Sequence, residues 1–145
     1  MAGTGVPSSE DDHCFPGKSL FDLANGADQE RFVFSEFHAA ASNRGQFMIR
    51  KGPLKYVYYV GYPDQLFNLD NDPDERLNLA GDPDHQHDLE EMEALLRSVV
   101  DPDYIDAMAK SDQAARLAAN GGRDAIRTKG SFGYTPAPGE AAVFK

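Results

Sequence analysis

The stretch from Leu66 to Leu79 reads Leu-Phe-Asn-Leu-Asp-Asn-Asp-Pro-Asp-Glu-Arg-Leu-Asn-Leu, and it divides the chain into two kinds of sequence. Before it, apolar residues alternate with polar ones or run in β-branched and aromatic clusters, the pattern of strands. After it, they recur every three or four residues, the pattern of helices. A chain with strands first and helices afterwards points to an α+β fold rather than to alternating βαβ units.

Four strands are predicted upstream. Arg31 to Phe37 places Phe32, Phe34 and Glu36 on one face and Val33, Ser35 and Phe37 on the other. Gln46 to Lys51 sets Phe47 and Ile49 against Met48 and Arg50. Gly52-Pro53 turns the chain into Leu54 to Val60, whose Tyr56, Val57, Tyr58, Tyr59 and Val60 are all β-formers. After a further turn at Gly61 to Asp64, Gln65 to Leu69 makes a short fourth strand. Strands this close in sequence join as an antiparallel meander.

Downstream, Asp72-Pro73-Asp74, Asp82-Pro83-Asp84 and Asp101-Pro102-Asp103 share one device. An Asp carboxylate accepts the orphan N–H groups of a helix start, and Pro fits the first helical position. A second acid faces the positive end of the helix dipole. Three helix starts are therefore expected. The first helix is short and ends near Gly81. The second is the main one, with a stripe of Leu89, Met92, Leu95, Leu96 and Val99. The third runs from Pro102 to about Asn120 through Tyr104, Ile105, Met108, Ala115 and Leu117, and Arg123 to Lys129 adds a last turn. A short helical turn is also expected between Ser19 and Asn25.

The predicted architecture is a small four-stranded antiparallel sheet packed against a long helix, followed by a second helix and an extended tail. Its divisions are an irregular lead-in over 1–30, the sheet and main helix over 31–100, a helical extension over 101–129, and the tail over 130–145.

Composition removes several functions. The formal net charge is −10, and the 14 Lys and Arg residues are dispersed, so nucleic acid is not the expected partner. No apolar run is long enough to span a bilayer, and Met1 to Asp12 lacks the basic and apolar regions of a signal peptide. The single cysteine, Cys14, permits no internal disulfide and suits a reducing compartment, which slightly favours the cytoplasm.

Three segments carry a family resemblance. Lys55-Tyr56-Val57, Gln65-Leu66-Phe67-Asn68-Leu69 and Asp72-Pro73-Asp74-Glu75 with Leu77-Asn78-Leu79 form one signature. Upstream stand Pro16-Gly17-Lys18-Ser19-Leu20 and Ser35-Glu36-Phe37-His38. In order and spacing these resemble the C-terminal subdomain of the sulfatases of the alkaline phosphatase superfamily, especially bacterial choline-sulfatase-like members. The resemblance implies a sheet packed on one long helix, reached independently above, and sulfuric ester hydrolysis by the full-length parent. It also implies calcium and a formylglycine made from the cysteine of a Cys-x-Pro-x-Arg motif, supplied elsewhere in the parent.

Cys14-Phe15-Pro16-Gly17-Lys18 imitates that motif but has lysine for arginine, and it lies just before the C-terminal subdomain rather than near the enzyme's start. No catalytic residue and no metal ligand is therefore assigned, and the chain is expected to be a C-terminal part, inactive alone, whose partner is the missing catalytic α/β domain or a parent-like subunit. A fragment of a related phosphodiesterase or phosphonate hydrolase, and a stand-alone non-catalytic binding module, stay open as alternatives.

The resemblance implies that the end of the first strand faces the substrate cleft. Glu36 and His38 are accordingly the candidate substrate-binding residues, with Glu36 suited to a cationic headgroup and Tyr58 or Tyr59 to cation–π contact. His85 and His87 are too few and too divergent on a helix to hold zinc, and Arg50, Lys51 and Lys55 form a small basic cluster at one turn.

Overall fold

A computed structural model describes residues 10, 14, 18–26, 30–38, 42–130, 139 and 141. Most of the predicted tail beyond Gly130 and most of the lead-in before Lys18 lie outside these residues.

A short helix α1 (Leu20–Ala24) begins at Ser19, whose hydroxyl accepts from the Asp22 amide. Then come β1 (Phe32–Phe37), β2 (Gln46–Lys51), β3 (Leu54–Tyr59) and β4 (Gln65–Asn68). They pair in sequence order, each antiparallel to the next. Helices α2 (Gln86–Val99), α3 (Pro102–Ala119) and α4 (Gly122–Lys129) follow. The expected α+β architecture is the observed one. β3 and β4 each stop one residue short of the predicted end, although the amides of Val60 and Leu69 still donate in register to the carbonyls of Gly45 and Pro53.

Register explains the core. Phe34 lies opposite Ile49, Ile49 opposite Tyr56, and Tyr56 opposite Leu66, so one row crosses all four strands. Glu36, Phe47 and Tyr58 form the next row on the same face. α2 covers this face. Phe47, Ile49, Tyr56 and Leu66 close with Leu79, Met92 and Leu96 into one buried cluster. Leu89 and Leu95 pack at its margin, while Val99, at the end of the predicted stripe, is exposed.

Two of the three Asp-Pro-Asp segments start helices. Asp82 accepts from the Asp84 amide and opens a 3-10 turn (Pro83–His85) that leads into α2. Asp101 accepts from the Tyr104 amide at 3.1 Å and starts α3. Asp72-Pro73-Asp74 starts none, which corrects the expectation of a first short helix. Asp72 spends its carboxylate on the amide of Leu77, five residues on, at 2.8 Å. Glu75 takes a φ of 55°, a left-handed conformation that ends helical winding after one turn.

The chain then folds back. The Leu79 amide donates to the Leu66 carbonyl at 2.8 Å, and Asn78 Oδ1 accepts from the Leu66 amide at 2.9 Å. Leu79 enters the core, whereas Leu77 stays exposed. Thus 66–79 is a strand joined to a returning turn, and its acids organise backbone.

α3 turns only some of its apolar residues inward. Tyr104 and Met108 are exposed, Ile105 is half-buried, and the inward positions fall on Pro102 and Asp106. Gly121 and Gly122 both adopt positive φ and separate α3 from α4.

Candidate functional site

The end of β1 is built by its pairing with β2. Glu36 sits opposite Phe47 and is exposed. His38 follows directly after the strand and is half-buried. Its ring meets Phe47 edge-to-face, with centroids 5.2 Å apart and planes at 77°. Both imidazole nitrogens are enclosed and make no hydrogen bond. An enclosed polar atom without a partner costs free energy, so the ring is held here against a desolvation penalty.

Gly45 closes the other side of the ring. A Cβ at this position would fall 2.8 Å from His38 Cε1 and 2.8 Å from Phe47 Cε2, so only glycine lets the backbone pass. The Gly45 amide in turn donates to Asp106 Oδ1 at 2.6 Å, and Arg44 Nη1 donates to Asp106 Oδ2 at 3.4 Å. Asp106 is 3% exposed. The sequence reading missed it; its only signal is that it lies four residues after Pro102, on the face of α3 that turns inward.

A second polar group ties the helices to the sheet. Tyr58 Oη donates to Asp103 Oδ1 at 3.0 Å, and the Arg97 guanidinium lies 5.1 Å from the Tyr58 ring centroid. Arg97 also donates to Glu93 at 2.8 Å and sits 3.5 Å from Asp103. Burial and the Asp103 carboxylate push the Tyr58 phenol above its ordinary value. Tyr56 donates to Asp64 Oδ2 at 2.9 Å, and burial followed by that carboxylate raises its phenol far upward. Burial also raises Asp64. Tyr58 therefore already has a cation over its ring. Tyr59 lies on the opposite face of the sheet.

Two shallow concavities flank the site. One, of about 260 Å³, is walled by Glu36, Phe37, Met48, Val57 and Tyr59. The other, of about 270 Å³, is walled by Ser42, Asn43, Arg44, Gln46, Tyr59 and Tyr62. Glu36 borders the first and His38 borders neither, so the two candidates are neighbours on one strand end and do not share a cavity.

The remaining sequence candidates are engaged structurally. Lys51 pairs with Glu91 at 3.1 Å, Lys55 with Glu75 at 2.7 Å, and Arg50 donates to the Gly52 carbonyl. His85 pairs with Asp88 at 2.9 Å, and that hydrogen bond raises its pKa. Cys14 is exposed. Among the described residues, no group of three or more His, Cys, Asp or Glu stands ready to hold a metal ion, and no helix is long and apolar enough to cross a membrane.

No family model matches the chain. A choline-sulfatase of Rhizobium meliloti (strain 1021) is 41% identical over 56 residues, which cover 39% of this chain and 11% of that protein. A candidate sulfatase from Bacteroides thetaiotaomicron, known from a crystal structure, matches with a TM-score of 0.50 and 32% identity over 79% of this chain and 24% of its own. The chain is a relative of the sulfatases of the alkaline phosphatase superfamily. The structure of BT1596, a 2-O GAG sulfatase, also matches at 32% identity, with a TM-score of 0.49 and the same coverage of 79% and 24%. This sulfatase relative thus spans about a tenth of its curated counterpart and about a quarter of the solved ones.

Proposed function

We propose that this chain serves as the C-terminal part of a sulfuric ester hydrolase, presenting the β1 end to the substrate while a catalytic α/β domain carries out the hydrolysis. The observation that carries this reading is the 41% identity over 56 residues to a choline-sulfatase. The match at 32% identity to the Bacteroides structure supports it at the level of fold.

Sulfate ester cleavage in this family relies on calcium and formylglycine. The described residues do not fit either group. They hold no cluster of three acidic, His or Cys side chains, and Cys14 is followed by Phe-Pro-Gly-Lys, with no arginine at the required place. No bond-making step is therefore assigned to this chain. Its share is binding and orientation. The exposed Glu36 carboxylate offers a counter-charge to a cationic headgroup, while His38, its ring nitrogens enclosed against Phe47, supports the strand end beside it.

The test is a KM comparison in a full-length enzyme of this type. Glu36→Gln is expected to raise KM about tenfold for a sulfate ester that carries a cationic headgroup, the equivalent of about 1.4 kcal/mol, and to leave KM for an aryl sulfate without a cationic group unchanged. An equal change for both substrates, or none, contradicts the assignment of Glu36.

A further inference from the structure

We infer that Asp106 is a positioning residue for His38, acting from α3 through the backbone of Gly45. A carboxylate buried to 3% exposure is costly unless donors surround it. Both of its described donors come from adjacent residues of the β1–β2 connection. They are the Gly45 amide at 2.6 Å and the Arg44 guanidinium at 3.4 Å, 61 and 62 residues away in sequence. Arg44 is half-exposed and its contact is long, so the Gly45 amide is the main link.

The next contact is steric. Gly45 lies so close to the imidazole that a single added carbon would sit 2.8 Å from His38 Cε1. The His38 ring nitrogens have no hydrogen bond, so among the described residues its place is set by packing, with Gly45 and Phe47 against the ring. Whatever fixes Gly45 fixes His38. Asp106 is itself held firmly: α3 starts at the Asp101 cap, and Pro102 is buried one turn before it. The order of control runs from α3 to Asp106, to Gly45, to the imidazole wedged on Phe47. Only the functional meaning of this linkage rests on reading the β1 end as substrate-facing; the linkage itself concerns this chain alone.

The experiment is NMR on the whole chain, reading ring-to-ring NOEs between His38 and Phe47 together with the His38 side-chain shifts. Asp106→Ala is expected to lose these NOEs while those between α2 and the sheet persist. Asp106→Asn keeps an oxygen for the Gly45 amide and is expected to retain them. Arg44→Ala is expected to retain them too. Gly45→Ala, with Asp106 intact, is expected to lose them because its Cβ displaces the ring. Retention of the His38–Phe47 NOEs in folded Asp106→Ala or in Gly45→Ala overturns the inference. Should Asp106→Ala give no dispersed spectrum, Gly45→Ala and Asp106→Asn decide it, by loss in the first and retention in the second. Because no substrate is used, the result separates this linkage from the sulfatase reading, which the KM comparison tests on its own.

Discussion

Asn78 shows how much of this fold hangs on single polar side chains. Its Oδ1 accepts from the amides of Leu66 and Ala80 at 2.9 and 3.0 Å, and its Nδ2 donates to the Asp64 carbonyl at 3.0 Å. Removing it leaves the β4 backbone short of partners at the joint. Asn78→Ala is expected to destabilise the chain by about 1–3 kcal/mol, read from urea unfolding with an unchanged m-value. His85 makes a second, pH-dependent prediction. Its hydrogen bond to Asp88 raises its folded pKa above 6.5. The stabilisation it contributes is fully present below 6.5 and is lost as pH rises through the raised value. Asp88→Asn should bring the His85 midpoint down in an NMR titration; an unmoved midpoint contradicts the assigned cause. Residues of this kind were the least legible in the sequence. Asp106 and Asn78 are ordinary polar letters until the fold brings donors from 61 and 12 residues away.

The elements were far more legible, because their periodicities are set by burial. Strands β1–β4 and helices α2 and α3 follow from alternation and from the three-and-four spacing. Leu96 is fully buried at the centre of the α2 stripe, and Leu96→Ala is expected to cost about 2–5 kcal/mol by chemical denaturation, depending on how far the cavity collapses. The Asp101 cap of α3 is a smaller term: Asp101→Ala should cost about 0.5–2 kcal/mol in the same measurement. The element that sequence reasoning misjudged is instructive. Asp72-Pro73-Asp74 carries the same capping letters as the two true helix starts. Its fate is decided by Glu75, whose left-handed φ bends the chain, and by the return of Leu79 to the Leu66 carbonyl. Local capping chemistry favours a helix start, but the three-residue text cannot encode the long-range bond that competes with it. α3 illustrates the same point, since its inward face includes the carboxylate of Asp106, held by the Gly45 amide, beside Pro102 and Ile105.

At the scale of the molecule, α2 covers the inner face of the sheet, so that Phe47 and Tyr56 are fully buried and Phe34 packs against the core cluster. Exposed apolar side chains include Phe32, Val33 and Phe37 on the edge strand β1, and Leu20 and Phe21 on α1. An edge strand with free backbone groups and exposed rings invites pairing. Sedimentation velocity is therefore expected to show concentration-dependent association of the chain; a single monomeric species across the concentration range contradicts the open edge as an association surface. Such a surface is where a larger catalytic domain would find contact in the proposed enzyme. The same account assigns all bond-breaking to that domain. Its most direct test is turnover of an aryl sulfate by the purified chain, with and without calcium. The account predicts no release of product above the buffer rate in either condition. Clear turnover that Cys14→Ala abolishes would contradict it.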